Sequence, residues 1–353
     1  TPSLTDEAAA RPVRGMPYFT CLASVEEVRG VTAGRSDGEV FLFDPEGRVL
    51  WQQKLAHPVR AIATVHFDGS APVIVAGCRE GLIVALDHKG GTLWQVQLER
   101  YKNTPHVNVV LAADFSSEGR ETAIVGADNW RYYAIDGTGK LLWHYESVHV
   151  ATAACAADLT GDGVDEVVLG TNYYWWSAVK ADGSRLWGYS TKSGPECTAI
   201  AIGDLNGDGG REVVFAAGDG SLQCVGADGK LLWMVYLGDR ATALACTDVD
   251  KDGKDELLVA SANCLAYCLG DEGTVRWRLS TGQPIITARL TANGLWACGC
   301  QDGSTLMLGA ADGRIVSRGQ LAGEVSAICT AGADVYVATT LGETACLEGA
   351  GGD

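Results

Sequence analysis

The stretch Asp228-Gly-Lys-Leu-Leu-Trp233 decides the fold, because it recurs. Variants end at Trp51, Trp94, Trp143, Trp187 and Trp277, and the intervals along the series through Trp233 are 43, 49, 44, 46 and 44 residues. A seventh copy, Asp312-Gly-Arg-Ile-Val-Ser317, follows after 40 residues, keeping the turn and losing the Trp. A period of this size holding several short strands is the mark of a β-propeller blade, whose sheet buries both faces only by packing against its neighbours.

Within one period, β-branched runs separated by turn residues predict four strands, for example over 61–66, 72–77, 82–87 and 92–98, labelled A to D. The A strands are built from small residues, as in Ala-Thr-Ala-Ala-Cys-Ala-Ala at 151–157. That composition suits the innermost strands, which converge on the ring axis. Eight A-B-C sets are present, the last over 325–330, 335–339 and 344–347, without a D strand. The expected fold is all-β, an eight-bladed β-propeller of four-stranded antiparallel blades, with seven blades as the alternative if the last set is a truncated one. Residues 1–17 form an arm that is the candidate to complete the last blade, and residues 18–349 a single propeller domain. Such a closure joins the chain ends and removes the open sheet edge.

Composition narrows the partners. Of 353 residues, 47% are hydrophobic, enough for a large core, and no apolar run approaches the roughly 18 residues of a membrane span. Lys plus Arg number 27 against 44 Asp plus Glu, a net charge of −17 that disfavours nucleic acid and anionic membranes. Twelve Cys include no CxxC pair, so zinc is not expected. Cys21, Cys155, Cys197, Cys246 and Cys329 fall in A strands of different blades, too far apart to bridge, and read as small buried hydrophobes. Thr1 is not a natural start, and the expectation is a processed, secreted or periplasmic chain.

The turn-Gly-Lys-x-x-Trp ending resembles the PQQ-like propeller repeat across nearly the whole chain. The resemblance implies that Trp51, Trp94, Trp143, Trp187, Trp233 and Trp277 dock between neighbouring blades, and that the junction at Ser317 is more loosely packed. Quinone chemistry is not implied. Quinone-dependent dehydrogenases are much longer, and the vicinal Cys pair common among them has no counterpart here.

Three A-to-B turns carry a second motif: Asp158-Leu-Thr160-Gly-Asp162-Gly-Val-Asp-Glu166, Asp204-Leu-Asn206-Gly-Asp208-Gly-Gly-Arg-Glu212 and Asp248-Val-Asp250-Lys-Asp252-Gly-Lys-Asp-Glu256. Oxygens at positions 1, 3, 5 and 9, a carbonyl at 7 and Gly at 6 suit a hard cation, and calcium is the expected cofactor. Asp114-Phe-Ser116-Ser-Glu118 reads as a decayed copy. The loops resemble the calcium loops of FG-GAP repeats in integrin-type propellers. The plainer reading is an Asp/Asn/Gly turn without metal.

In an antiparallel meander, A-to-B and C-to-D turns share one face, leaving the B-to-C and D-to-A loops on the other. Two neighbouring B-to-C loops there are aromatic: Asp128-Asn-Trp130-Arg131-Tyr132 and Asn172-Tyr173-Tyr174-Trp175-Trp176. The longest D-to-A insertion, 99–105, adds Arg100, Tyr101 and Lys102, and His57, His106 and His149 precede consecutive A strands. Aromatic faces stack on sugar rings, and the local cations Arg79, Arg100, Lys102 and Arg131 suit uronate or sulfate groups. Trp130 and Trp175 are the leading ligand-stacking residues. The expectation is a calcium-stabilised propeller binding an anionic or plant or algal polysaccharide. One alternative is a polysaccharide lyase, using His106, His149, Tyr173, Tyr174 and Arg131 as base and charge-neutralising groups. Another is a protein-interaction scaffold, in which the aromatic loops pack on each other and the His residues cap strands.

Overall fold

The computed structural model describes residues 18–25, 30–68, 71–191 and 194–347. The arm over 1–17 lies outside them, as does residue 348 onward. Every described sheet is an antiparallel meander in chain order, and eight sheets follow one another around the ring. Seven have four strands and the last has three, Val325–Ala331, Asp334–Thr339 and Thr344–Leu347. In blade 2 the strands are Val59–Val65, Val73–Cys78, Leu82–Leu86 and Thr92–Gln97, within two residues of the sequence expectation at every boundary.

Among the described residues, blades 1 and 8 pack directly against each other. Phe19, Ala33 and Phe41 of blade 1 pack with Ala327 and Ala338 of blade 8 in one buried cluster. Closure leaves no inner sheet edge exposed, so each blade has both faces buried and only its D strand at the rim.

The hexad interlocks consecutive blades. Each Trp lies on a D strand, and in five of the six the indole N–H donates to a carbonyl in the next blade's C-to-D turn. Trp51 reaches His88 at 2.9 Å, Trp94 Gly137 at 3.0 Å, Trp143 Ala181 at 2.7 Å, Trp187 Ala227 at 2.8 Å and Trp277 Ala310 at 2.9 Å. The ring covers the Gly of that turn. At Gly90, with φ of 85°, a Cβ would come within 2.9 Å of the Trp51 ring, so conformation and crowding both require glycine. One half of the motif therefore recognises the other half of the next copy. At Ser317 the junction is filled instead by Met307, Val335 and Val337, with Leu347 beside them.

A second interlock lies at the axis. Every A strand carries a β-bulge at its second residue, namely Thr20, Arg60, Asn108, Thr152, Thr198, Thr242, Ile286 and Ser326. Thr20, Thr198 and Thr242 donate to the first A-strand carbonyl of the next blade, at Val59, Ala241 and Ile285, over 2.8, 2.7 and 2.9 Å. Asn108 does the same to Ala151 at 2.9 Å.

Candidate functional site

The two aromatic loops and the 99–105 insertion meet on the B-to-C face of blades 3 and 4. Their side chains form a continuous row. The Arg131 guanidinium stacks 3.9 Å from the Tyr101 ring, and Lys102 Nζ lies 5.0 Å from Tyr101 and 5.9 Å from Trp130. Trp130 packs on His149 with ring centres 4.8 Å apart. His149 meets Tyr173 at 4.6 Å, and Tyr173 meets Tyr174 at 4.8 Å. Tyr101 and Tyr173 remain 41% and 44% exposed, so the row is an accessible surface rather than two loops buried on each other. Arg131 is anchored by Glu146, its Nη2 donating to Oε1 at 3.0 Å. Glu146 also holds the arginine's charge: the ion pair lowers the Glu146 pKa.

Trp130 shows how the row is built. At the corresponding B-to-C position, Gly38, Gly81, Gly220 and Gly303 have φ of 93, 80, 85 and 85°. Trp130 adopts φ of 68° in the same turn, as Cys264 does in blade 6 with φ of 66°, a left-handed conformation that costs an L-residue roughly 1–2 kcal/mol. The fold thus carries strain to hold an indole where four other blades have glycine.

Other sequence candidates lie apart from the row. Trp175 packs its ring over Gly188, with Arg185 5.9 Å away on its own blade. Trp176, counted with the aromatic loop, is fully buried against Phe215 at 4.7 Å, because strand alternation turns it inward. His106 faces blade 2, where Nδ1 accepts the Glu80 backbone N–H at 3.1 Å. Arg79 and Arg100 are exposed, and His57 stands before the blade 2 A strand.

On the opposite face, the carboxylate loops share one construction. Glu166, Glu212 and Glu256 are 3, 5 and 3% exposed, and each accepts the loop's second backbone N–H, from Leu159, Leu205 and Val249 at 3.0, 2.9 and 3.0 Å. Burial raises the pKa of all three, and the nearby Asp carboxylates of each loop push the same way. Asp158, Asp204 and Asp248 instead wrap the turn, each accepting the N–H of the sixth-position Gly at 2.8, 2.9 and 3.0 Å. In the second loop Asn206 Nδ2 donates to Glu212 at 3.0 Å, and Asp208 accepts the Gly210 N–H. Thr160, Asp162 and Asp252 are exposed.

In the third loop one oxygen each of Asp248, Asp250 and Glu256 gathers within 4.8 Å, a donor set that fits a hard cation. Arg276 also enters this loop and pairs with both Asp250 and Glu256. The sequence reading missed it. Its signal was a departure from the repeat: the residue before the Trp is Leu at 50, 93, 142, 186 and 232, and Arg at 276.

The interlocked ring defines the class, an eight-bladed propeller of PQQ-like repeats. The chain belongs to the family described as outer membrane protein assembly factor BamB, whose profile matches residues 36–225. A second profile, the lambda-carrageenase β-propeller domain, matches residues 238–318. No curated protein matches the chain. Similar solved structures include the computationally designed Ika8, 19% identical with a TM-score of 0.73 over 96% of this chain and 98% of that one. BamB from Moraxella catarrhalis is 16% identical with a TM-score of 0.68 over 95% and 98%. Sqt1 from Chaetomium thermophilum, solved bound to the N-terminus of a ribosomal protein, is 12% identical with a TM-score of 0.74 over 94% and 96%. At these identities the likeness is one of fold.

Proposed function

We propose that this propeller binds an anionic oligosaccharide across the row Tyr101, Trp130, His149 and Tyr173, with Lys102 and Arg131 meeting its acidic groups. The observation that carries the reading is Trp130, a large aromatic held in a left-handed turn position that glycine occupies in four other blades. A strained, partly exposed indole in an accessible aromatic row serves contact with a ligand better than it serves the core. Two cations within this row on a chain of net charge −17 favour a uronate or sulfate group over a neutral sugar. The lambda-carrageenase propeller profile supports a link to acidic polysaccharides, although it matches blades away from the row.

The reading is of binding rather than cleavage, since His106 spends Nδ1 on a backbone N–H. Calcium is proposed as the structural cofactor of the Asp158, Asp204 and Asp248 loops. It would neutralise the buried glutamates and displace Arg276 in the third. A glycan array spanning sulfated, uronate and neutral oligosaccharides tests the function, with ultraviolet absorbance followed for unsaturated products. Binding of acidic glycans without such products is expected, and no glycan binding at all would defeat the reading.

A protein-scaffold role has one observation of its own. Leu232, Met234 and Tyr236 on the rim strand of blade 5 are 54, 45 and 64% exposed. The matching positions 52 and 54 in blade 1, or 144 and 146 in blade 3, are polar. The Sqt1 complex shows that a propeller of this shape can receive a peptide.

A further inference from the structure

The eight A strands enclose an axial cavity of about 380 Å³. Two of its lining residues break the repeat with a positive charge. Arg60 stands at the bulge, where other blades carry Thr20, Thr198 or Thr242. Arg289 stands three residues past the bulge of blade 7, where the repeat elsewhere has alanines such as Ala63, Ala201 and Ala245.

No carboxylate lines the cavity among the described residues, and neither arginine has an ion-pair partner among them. The hydroxyls of Thr20, Thr198 and Thr242 around the axis already donate to backbone carbonyls. Arg289 uses one N–H on the Ala288 carbonyl at 2.9 Å, which leaves the remaining donors of its five uncommitted. Both arginine side chains are exposed to the channel, and the protein around Arg289 lowers its pKa by desolvation. Two cations lining one channel that holds no carboxylate among the described residues repel each other, and an anion between them relieves that repulsion. The repeat offers neutral residues at both places, so the arginines are not required by the fold.

We propose that the axial cavity binds a small tetrahedral oxyanion, phosphate or sulfate, held by the guanidinium groups of Arg60 and Arg289. Guanidinium forks match the oxygen spacing of such anions and bind them bidentately, where a chloride gains no second bond. The cavity has room for the anion and several waters. The proposal does not rest on the glycan reading, since it uses other residues.

The test is calorimetric titration and thermal melting of the full chain with sodium phosphate, sodium sulfate and sodium chloride at matched ionic strength. A saturable, one-site response to phosphate or sulfate and none to chloride is expected, and the two arms tell which anion is preferred. Arg289→Ala and Arg60→Thr return each position to a residue type the ring already carries there, so both should fold, and each should weaken the apparent affinity at least 10-fold. Trp130→Gly should leave the response unchanged, which separates this site from the aromatic row. The proposal is overturned if neither anion gives a saturable response, or if the double variant responds like the parent.

Discussion

At the scale of single residues, the chain separates positions that hold the ring from positions that the ring holds out. Trp143 is of the first kind: its indole bonds Ala181 and its ring covers Gly183, so truncation removes a hydrogen bond and inter-blade packing together. Trp143→Ala is expected to cost about 3 kcal/mol in a denaturant melt. Trp130 is of the second kind. Trp130→Gly relieves the left-handed strain while losing the contact with His149, so stability should stay within about 1 kcal/mol of the parent. The same change should weaken binding of an acidic oligosaccharide by roughly 5-fold or more, about 1 kcal/mol, in a titration. A large loss of stability with binding intact would make Trp130 a packing residue and remove the main support for the glycan face.

At the scale of the element, the carboxylate loops are turns with a buried acid at the end. The folded-state pKa of Glu166, Glu212 and Glu256 lies above the ordinary glutamate value of 4.5. Their contribution to stability is therefore whole below that value and is lost as pH rises through the raised pKa. A cation binds the ionised form, so calcium should raise the melting temperature more at pH 7 than at pH 5. At 100-fold saturation each occupied loop would add about 2.7 kcal/mol. Scanning calorimetry with calcium and with EDTA at the two pH values checks this, and equal melting temperatures throughout would argue for plain Asx turns. Arg276→Met should enlarge the calcium effect of the third loop, because the guanidinium now pairs with Asp250 and Glu256.

At the scale of the whole molecule, closure and wall-to-wall burial govern behaviour. Phe41→Ala opens the cluster joining blades 1 and 8 and is expected to cost about 3 kcal/mol by thermal or denaturant unfolding. Burial also pushes the thiols of Cys21, Cys78 and Cys329 up to about 12 and Cys155 to about 11. Few thiolates then exist at neutral pH, so a thiol reagent should label these positions slowly in the native protein and rapidly after denaturation. Fast native labelling at Cys155 would contradict the close packing of the A strands.

How much was legible in the sequence follows from the range over which each feature is decided. The hexad, the small-residue A strands and the carboxylate turns are local patterns, repeated often enough that their spacing alone implied eight blades and the face each loop occupies. That Trp176 turns inward also follows from alternation. What only the tertiary structure decided depends on neighbours far apart in the chain. Trp130 takes its meaning from glycines in other blades, His106 is drawn to Glu80, Arg276 reaches across its blade into an acidic turn, and Arg60 and Arg289 share one cavity though more than two hundred residues separate them. A ring brings every blade to a common axis, and no local pattern can say which side chains will meet there.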